Sequence, residues 1–170
     1  MYKFILFFSS ITFLYAGSNP VTMTLESILS NEMFLFRYAN ERYTCKVYGI
    51  WGLEKIYRNK TLNATCKRAL EEFILHNPKD VHMARYVLHL QQRYRLEYKK
   101  GGSCVLYFNS PKSFSEVLLE HGLALLKPAF SDREFLYRFR SAQSIAQTQK
   151  RGIWSTPLLR SCISEFLKEQ

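Results

Sequence analysis

Much that would announce a function is missing from this sequence. The nucleophile turn Gly-x-Ser-x-Gly, a phosphate-binding glycine loop and the zinc helix His-Glu-x-x-His are all absent. His76, His82, His89 and His121 are scattered without metal-ligand spacing, and no spacing among the four cysteines fits a zinc site. Internal repeats and low-complexity tracts are absent as well. Beyond the first eighteen residues, no segment approaches the ~20 apolar residues that a membrane-spanning helix needs. Acid is scarce: 14 Asp and Glu stand against 24 Lys and Arg, a formal charge of +10.

What is present reads as one globular domain. Hydrophobic residues make up 47% and charged residues 22%, and 170 residues suffice to bury a core. Residues 1–18 read as a secretory signal peptide: Lys3, then Phe4–Phe8 and Ile11–Tyr15 as the apolar run, then the small residues Ala16, Gly17 and Ser18. Cleavage is expected after Ala16 or Ser18, and the absence of a cysteine there argues against a lipid anchor. Lys3 is the only charged residue of that segment, so the mature chain carries +9.

An exported basic domain meets nucleic acid, anionic polysaccharide or anionic lipid, and charge alone does not choose among them. Export, to a periplasm or to the extracellular space, places Cys45, Cys66, Cys104 and Cys162 in an oxidising compartment, where four cysteines allow three pairings. Asn59-Lys60-Thr61 and Asn63-Ala64-Thr65 are glycosylation sequons in a host that glycosylates exported protein.

The order of elements follows from pattern and punctuation. Residues 19–28 read as a linker or first strand. Met33–Tyr38 and Arg42–Ile50 make a hairpin about Ala39-Asn40-Glu41. Asn63 caps a helix with Cys66, Leu70, Phe73 and Ile74 on one face, and Asn77-Pro78 stops it. Val81–Leu90 and Val105–Phe108 read as strands around a basic loop at 91–102. That loop interleaves Arg93, Arg95, Lys99 and Lys100 with Tyr94 and Tyr98, a composition that suits single-stranded nucleic acid or simply a solvated hairpin. Ser113–Glu116 and Ser131–Glu134 are capping boxes opening two more helices, which end at Gly122 and Gly152. The second buries Phe135, Phe139, Ala142 and Ala146. Hairpin, helix, two strands and two helices fit a small antiparallel barrel closed by helices.

These residues resemble the staphylococcal-nuclease-like (thermonuclease) domain over about residues 28 to 155. Glu116–Ala124, ending in Gly-Leu-Ala, and Ala142–Ser155, ending in Gly-Ile-Trp-Ser, match its two closing helices. Ser30-Asn31-Glu32-Met33 stands where the family has Asp-Gly-Asp-Thr. Lys46–Glu54 stands where it has Arg-Leu-x-Gly-Ile-Asp-Ala/Thr-Pro-Glu, and Gly102–Tyr107 where it has Gly-Arg-x-Leu-Ala-Tyr. The resemblance implies an α+β fold, an OB-fold barrel of five strands capped by three helices. It spans residues 19–158, with 159–170 as a C-terminal tail.

The resemblance also implies metal-assisted phosphodiester hydrolysis. Calcium takes six to eight oxygen ligands, two arginines grip the phosphate, and a glutamate activates water. Glu54 falls on the catalytic glutamate and Glu32 on the first metal aspartate, one methylene longer. Lys46 replaces the first arginine, keeping charge but losing the bidentate fork. Trp51 replaces the second metal aspartate and Ser103 the second arginine, so an anionic ligand and a cation are gone. Arg42, Lys99 or Lys100 are candidates to replace the lost cation from elsewhere. In the family the two arginines converge from neighbouring strands. Their neighbours Cys45 and Cys104 would then converge on the opposite face as one disulfide, leaving Cys66 with Cys162.

The reading favoured is an exported thermonuclease-like monomer with a degenerate active site, interacting with DNA or RNA and hydrolysing phosphodiesters weakly or not at all. The alternatives are an active metal-dependent endonuclease, with calcium as cofactor, and a protein-binding module of the cell envelope that uses an aromatic surface including Trp51.

Overall fold

The computed structural model describes residues 20–108 and 110–170. The signal-peptide reading of residues 1–18 lies outside them. Period-two alternation builds the first half of the fold. β1 (Val21–Ile28), β2 (Met33–Tyr38) and β3 (Glu41–Val47) pair antiparallel in chain order. They bury Met23 and Leu25, Phe34 and Phe36, and Cys45 and Val47, while Thr22, Arg37 and Lys46 face solvent. β5 (Arg93–Lys99) pairs with β1 and with β6 (Ser103–Tyr107), which closes the barrel against β3.

The fold is thus the expected five-stranded barrel with helices, although it is not antiparallel throughout. β3 and β6 run parallel, pairing Lys46 with Ser103 and Val47 with Cys104. The chain between β3 and β5 is a long excursion rather than a hairpin, which is what a parallel neighbour requires.

Two local expectations fail there. Val81–Leu90, read as a strand, is mostly helical: α3 (Pro78–Val81) and α4 (Met83–Val87). Pro78 pre-sets the first helical turn. Asn31, in the β1–β2 turn, then donates to the carbonyls of Val81 (2.9 Å) and Asp80 (3.3 Å) and accepts from the Ala84 N–H (2.9 Å). Those bonds arrive from about fifty residues away, so local apolar content does not foretell them. The stretch read as a basic loop is strand β5, with Tyr94 and Leu96 buried and Arg93 and Arg95 exposed. Its cation–aromatic interleaving was strand alternation.

The helices follow their start signals more closely. Asn63 caps α2 (Ala64–His76) by accepting from the Cys66 N–H at 2.9 Å, and Cys66, Ala69, Leu70 and Phe73 are buried. Ser113 and Glu116 form the reciprocal capping box of α5 (Phe114–Glu120). α6 (Arg133–Thr148) buries Phe135, Phe139, Ala142 and Ala146, but Asp132 rather than Ser131 caps it, its carboxylate accepting from the Glu134 N–H. Between the barrel and these helices lie β4 (Ile50–Gly52), α1 (Leu53–Tyr57) and β7 (Ala124–Leu126), with β4 and β7 paired as a small second sheet.

Gly122 and Gly152, which end the two matched helical blocks, meet backbone to backbone. The Ile153 N–H donates to the Gly122 carbonyl at 2.9 Å. Both glycines have positive φ, +66° and +54°; a Cβ on Gly122 would collide with the Arg151 carbonyl, and one on Gly152 with the Gly122 and His121 carbonyls. This contact locks the ends of the two helical blocks together.

Most of residues 159–170, read as a tail, belongs to α7 (Pro157–Lys168). Thr156 caps it and Pro157 opens it. Leu159, Cys162, Ile163 and Phe166 join the core. Cys66 is bonded to Cys162 and ties α2 to α7; Cys45 is bonded to Cys104 inside the barrel. No described helix is long and apolar enough to cross a membrane.

Candidate functional site

The parallel seam and the β4–β7 sheet bring the candidate residues to one end of the barrel. Glu32 stands in the β1–β2 turn. Its main-chain carbonyl accepts from the Val47 N–H at 2.9 Å, which fixes the turn against β3. Its carboxylate lies on Gly52, where a Cβ would occupy the same space, and it accepts the Gly52 N–H. The Glu32 carboxylate therefore fills the space that any side chain at position 52 would need. Burial raises the Glu32 carboxyl above the ordinary glutamate range. Glu54 adds to the rise, while the Gly52 N–H, Lys46 and Lys127 oppose it.

Glu54 lies in the first turn of α1, half exposed, 2.7 Å from Arg58 one turn on. That pair is solvent-screened and contributes little stability. Glu32 and Glu54 share a cleft of about 350 Å³ with Ser30, Asn31, Arg58 and Arg85.

Trp51 is neither plain core nor free surface. It sits in β4 opposite Leu125 and meets Phe166 of α7 edge to face, with centroids 5.5 Å apart, while Lys55 lies 5.8 Å over its ring. The apolar side chain is the packing partner of a helix clamped by the Cys66–Cys162 bond.

Lys46, exposed on β3, and Ser103, on β6, are neighbours in the parallel ladder. The Ser103 hydroxyl donates to the Lys100 carbonyl and offers no charge. Of the cations considered as replacements, Arg42 is 2.9 Å from Glu26. Lys99 is 2.6 Å from Glu97 and 3.7 Å from both Asp132 and Glu134, so three carboxylates already surround it. Lys100 is exposed in the turn before β6. Arg93 and Arg95 are exposed along β5, away from the glutamates, with the Arg95 guanidinium 4.2 Å from the centroid of the Tyr107 ring.

Sequence reasoning missed Lys127. It follows β7, and its N–H donates to the Gly49 carbonyl at 3.0 Å, which sets it beside the strand turn that carries Lys46. Burial lowers its ammonium below the ordinary lysine range. Lys46 and Lys55 lower it further, and Glu32 partly offsets them. The only sequence signal was a lysine closing the apolar run Leu123–Leu126.

The donors do not fit a calcium ion. Glu32 accepts the Gly52 N–H, Glu54 pairs with Arg58, and the indole of Trp51 has no oxygen, so two carboxylates are the only charged donors among these positions. Among the described residues, no group of three acidic, histidine or cysteine side chains is placed to hold a metal ion. A hard cation would find too few oxygens here.

A family model described as Staphylococcal nuclease homologue matches residues 59–156. The chain belongs to this family. The matched stretch runs from before α2 through β5, β6, α5, β7 and α6 to the Gly152 junction, and therefore contains the glycine pair. Glu32, Lys46, Trp51 and Glu54 precede it, and α7 follows it. A comparison with curated proteins gives no match.

Proposed function

We propose that this member of the staphylococcal nuclease family is an exported protein with a degenerate active site, which binds DNA or RNA and hydrolyses phosphodiesters weakly or not at all. The observation that carries the reading is Trp51. At the position of a metal aspartate, it packs on Phe166 of a disulfide-clamped helix. Restoring an acid there would put a charge against an aromatic ring. Glu54 and Lys46 are the residues through which residual hydrolysis would run. Arg93, Arg95 and Lys100 are the exposed cations available to a strand, while Lys99 is held by its carboxylates.

Export rests on the leader-like residues 1–18 and agrees with two disulfides, which persist in a periplasm or outside the cell. The test is digestion of DNA and RNA with calcium, magnesium or manganese, alongside strand binding over a salt series. The expected result is binding that weakens steeply with salt and little or no cleavage. Efficient calcium-dependent cleavage abolished by Glu54→Gln would replace this reading with an active nuclease. Absence of salt-sensitive binding would remove the nucleic acid.

A further inference from the structure

We infer that a groove on the flank of the barrel seats one nucleotide of a single strand, its phosphate on Arg93 and its base against the guanidinium of Arg95. The inference rests on the nucleic-acid reading above and names the contact that carries it. β5 delivers both arginines, turned outward by alternation while Tyr94 and Leu96 point into the core. Thr22 of β1 is the ladder partner of Arg95 on one side, and Tyr107 of β6 on the other. With Ser110 and Pro111 they line a groove of about 520 Å³. Arg95 stands four residues along β5 from Lys99, the ladder partner of Ser103. That is about 13 Å from the barrel mouth.

The groove is formed before any ligand arrives. Arg95 lies over the Tyr107 ring, its guanidinium carbon 4.2 Å from the centroid. Tyr107 is buried beneath it, while Arg95 itself is exposed. The opposite wall is held by three contacts. Ser113 bridges to Tyr107, Arg138 donates to the Pro111 carbonyl at 2.9 Å, and Glu116 grips Arg138 at 2.6 and 3.0 Å. Little ordering is left to oppose binding.

The charges of the groove are unmet. Among the described residues, neither Arg93 nor Arg95 has a carboxylate within ion-pair distance. Glu97, the next outward residue of β5, is 2.6 Å from Lys99. Two arginines two positions apart stand about 7 Å from each other, and a phosphate and its base are separated by one sugar. A guanidinium accepts a base on its flat face and a phosphate at its edge. A sulfated polysaccharide meets the charges but offers no π-face to Arg95. A duplex keeps its base faces stacked inside, so the groove selects single strands.

The test is fluorescence anisotropy of the full chain with a labelled oligothymidylate across a salt series, in EDTA to stop any residual cleavage. Arg95→Met should weaken binding about tenfold, the scale of one hydrogen bond to a charged group. It should also flatten the logarithmic salt slope by about 0.7. Arg93→Met should act alike, and Lys79→Met, on α3, should change neither quantity. An abasic strand of the same length carries the same charge without bases and should bind about fivefold more weakly, the low end of the stacking scale. Arg95→Lys should keep the salt slope and lose the preference for bases.

Strand binding unchanged in Arg93→Met and Arg95→Met overturns the groove and leaves the nucleic-acid reading standing. Equal binding of abasic and base-bearing strands by the parent chain overturns the base contact and with it the inference. Absence of salt-sensitive strand binding by the parent sinks the nucleic-acid reading itself. If dextran sulfate then binds in an Arg95-dependent way, the groove belongs to a polysaccharide and the inference fails. Thermal unfolding of each variant separates lost binding from lost fold.

Discussion

The glycine junction and the barrel mouth are both places where two parts of the chain press together, and they have fared differently. At the junction, Gly122 and Gly152 meet main chain to main chain at positive φ, and no side chain fits. At the mouth, Glu32 presses its carboxylate onto Gly52 and Trp51 leans on Phe166, so side chains make the contacts. Backbone contact tolerates one residue type. A side-chain site tolerates replacement so long as the replacements pack and their charges are met.

The comparison can be broken at its clamp. Replacing Cys66 and Cys162 by serine opens a covalent loop spanning 96 residues. The expected loss is about 4–5 kcal/mol by the chain-entropy account, seen in denaturant unfolding. In a Trp154→Phe background, which leaves Trp51 as the only tryptophan, its fluorescence should shift to the red as α7 loosens. An unchanged spectrum would mean that α7 holds Trp51 without the clamp.

Gly152→Ala should cost about 3 kcal/mol, from a strained left-handed residue and a collision with the Gly122 carbonyl. A loss below 1 kcal/mol would show that the junction yields more easily than its geometry implies. Trp51→Asp should cost about 2 kcal/mol, since a partly buried aromatic pair is lost. It should gain no calcium-dependent cleavage, because Ser103 still supplies no second cation and burial still raises the Glu32 carboxyl. Cleavage by this variant would show that one residue separates the mouth from a working site.

The smallest effect concerns Glu32. Burial raises its carboxyl, so the folded chain holds that proton at a pH where the unfolded chain has released it. Stability therefore falls as pH rises from the ordinary glutamate value through the raised one. Glu32→Gln keeps an acceptor for the Gly52 N–H and removes that fall. It should match the parent in acid and exceed it at neutral pH, as read by unfolding across that range. Equal stability at both ends would place the neutralising effect of Lys46 and Lys127 above that of burial.

Much of the fold was legible because its signals are local. Asn63 and the Ser113–Glu116 box announced their helices through bonds three residues long. Phe135, Phe139, Ala142 and Ala146 announced a buried face. α3 and α4 were misread because Asn31 caps their junction from across the molecule, and β5 because its arginines and tyrosines alternate as a strand while also composing a binding sequence. At the mouth, the departures from the resembled motif at Trp51 and Ser103 were visible as letters. Their consequences were not, since Phe166 and Lys127 are distant in sequence.

From residue order alone came the alternation of the barrel strands, the helix starts, the basic charge and the glycine-bearing motifs, because each depends on neighbours within a turn or two. Only the tertiary structure decided which cations are neutralised, why Trp51 is tolerated, that residues 157–168 belong to the core, and that Lys127 stands beside Glu32. Ion pairing, burial and close approach depend on distance in space, and chain separation does not encode it.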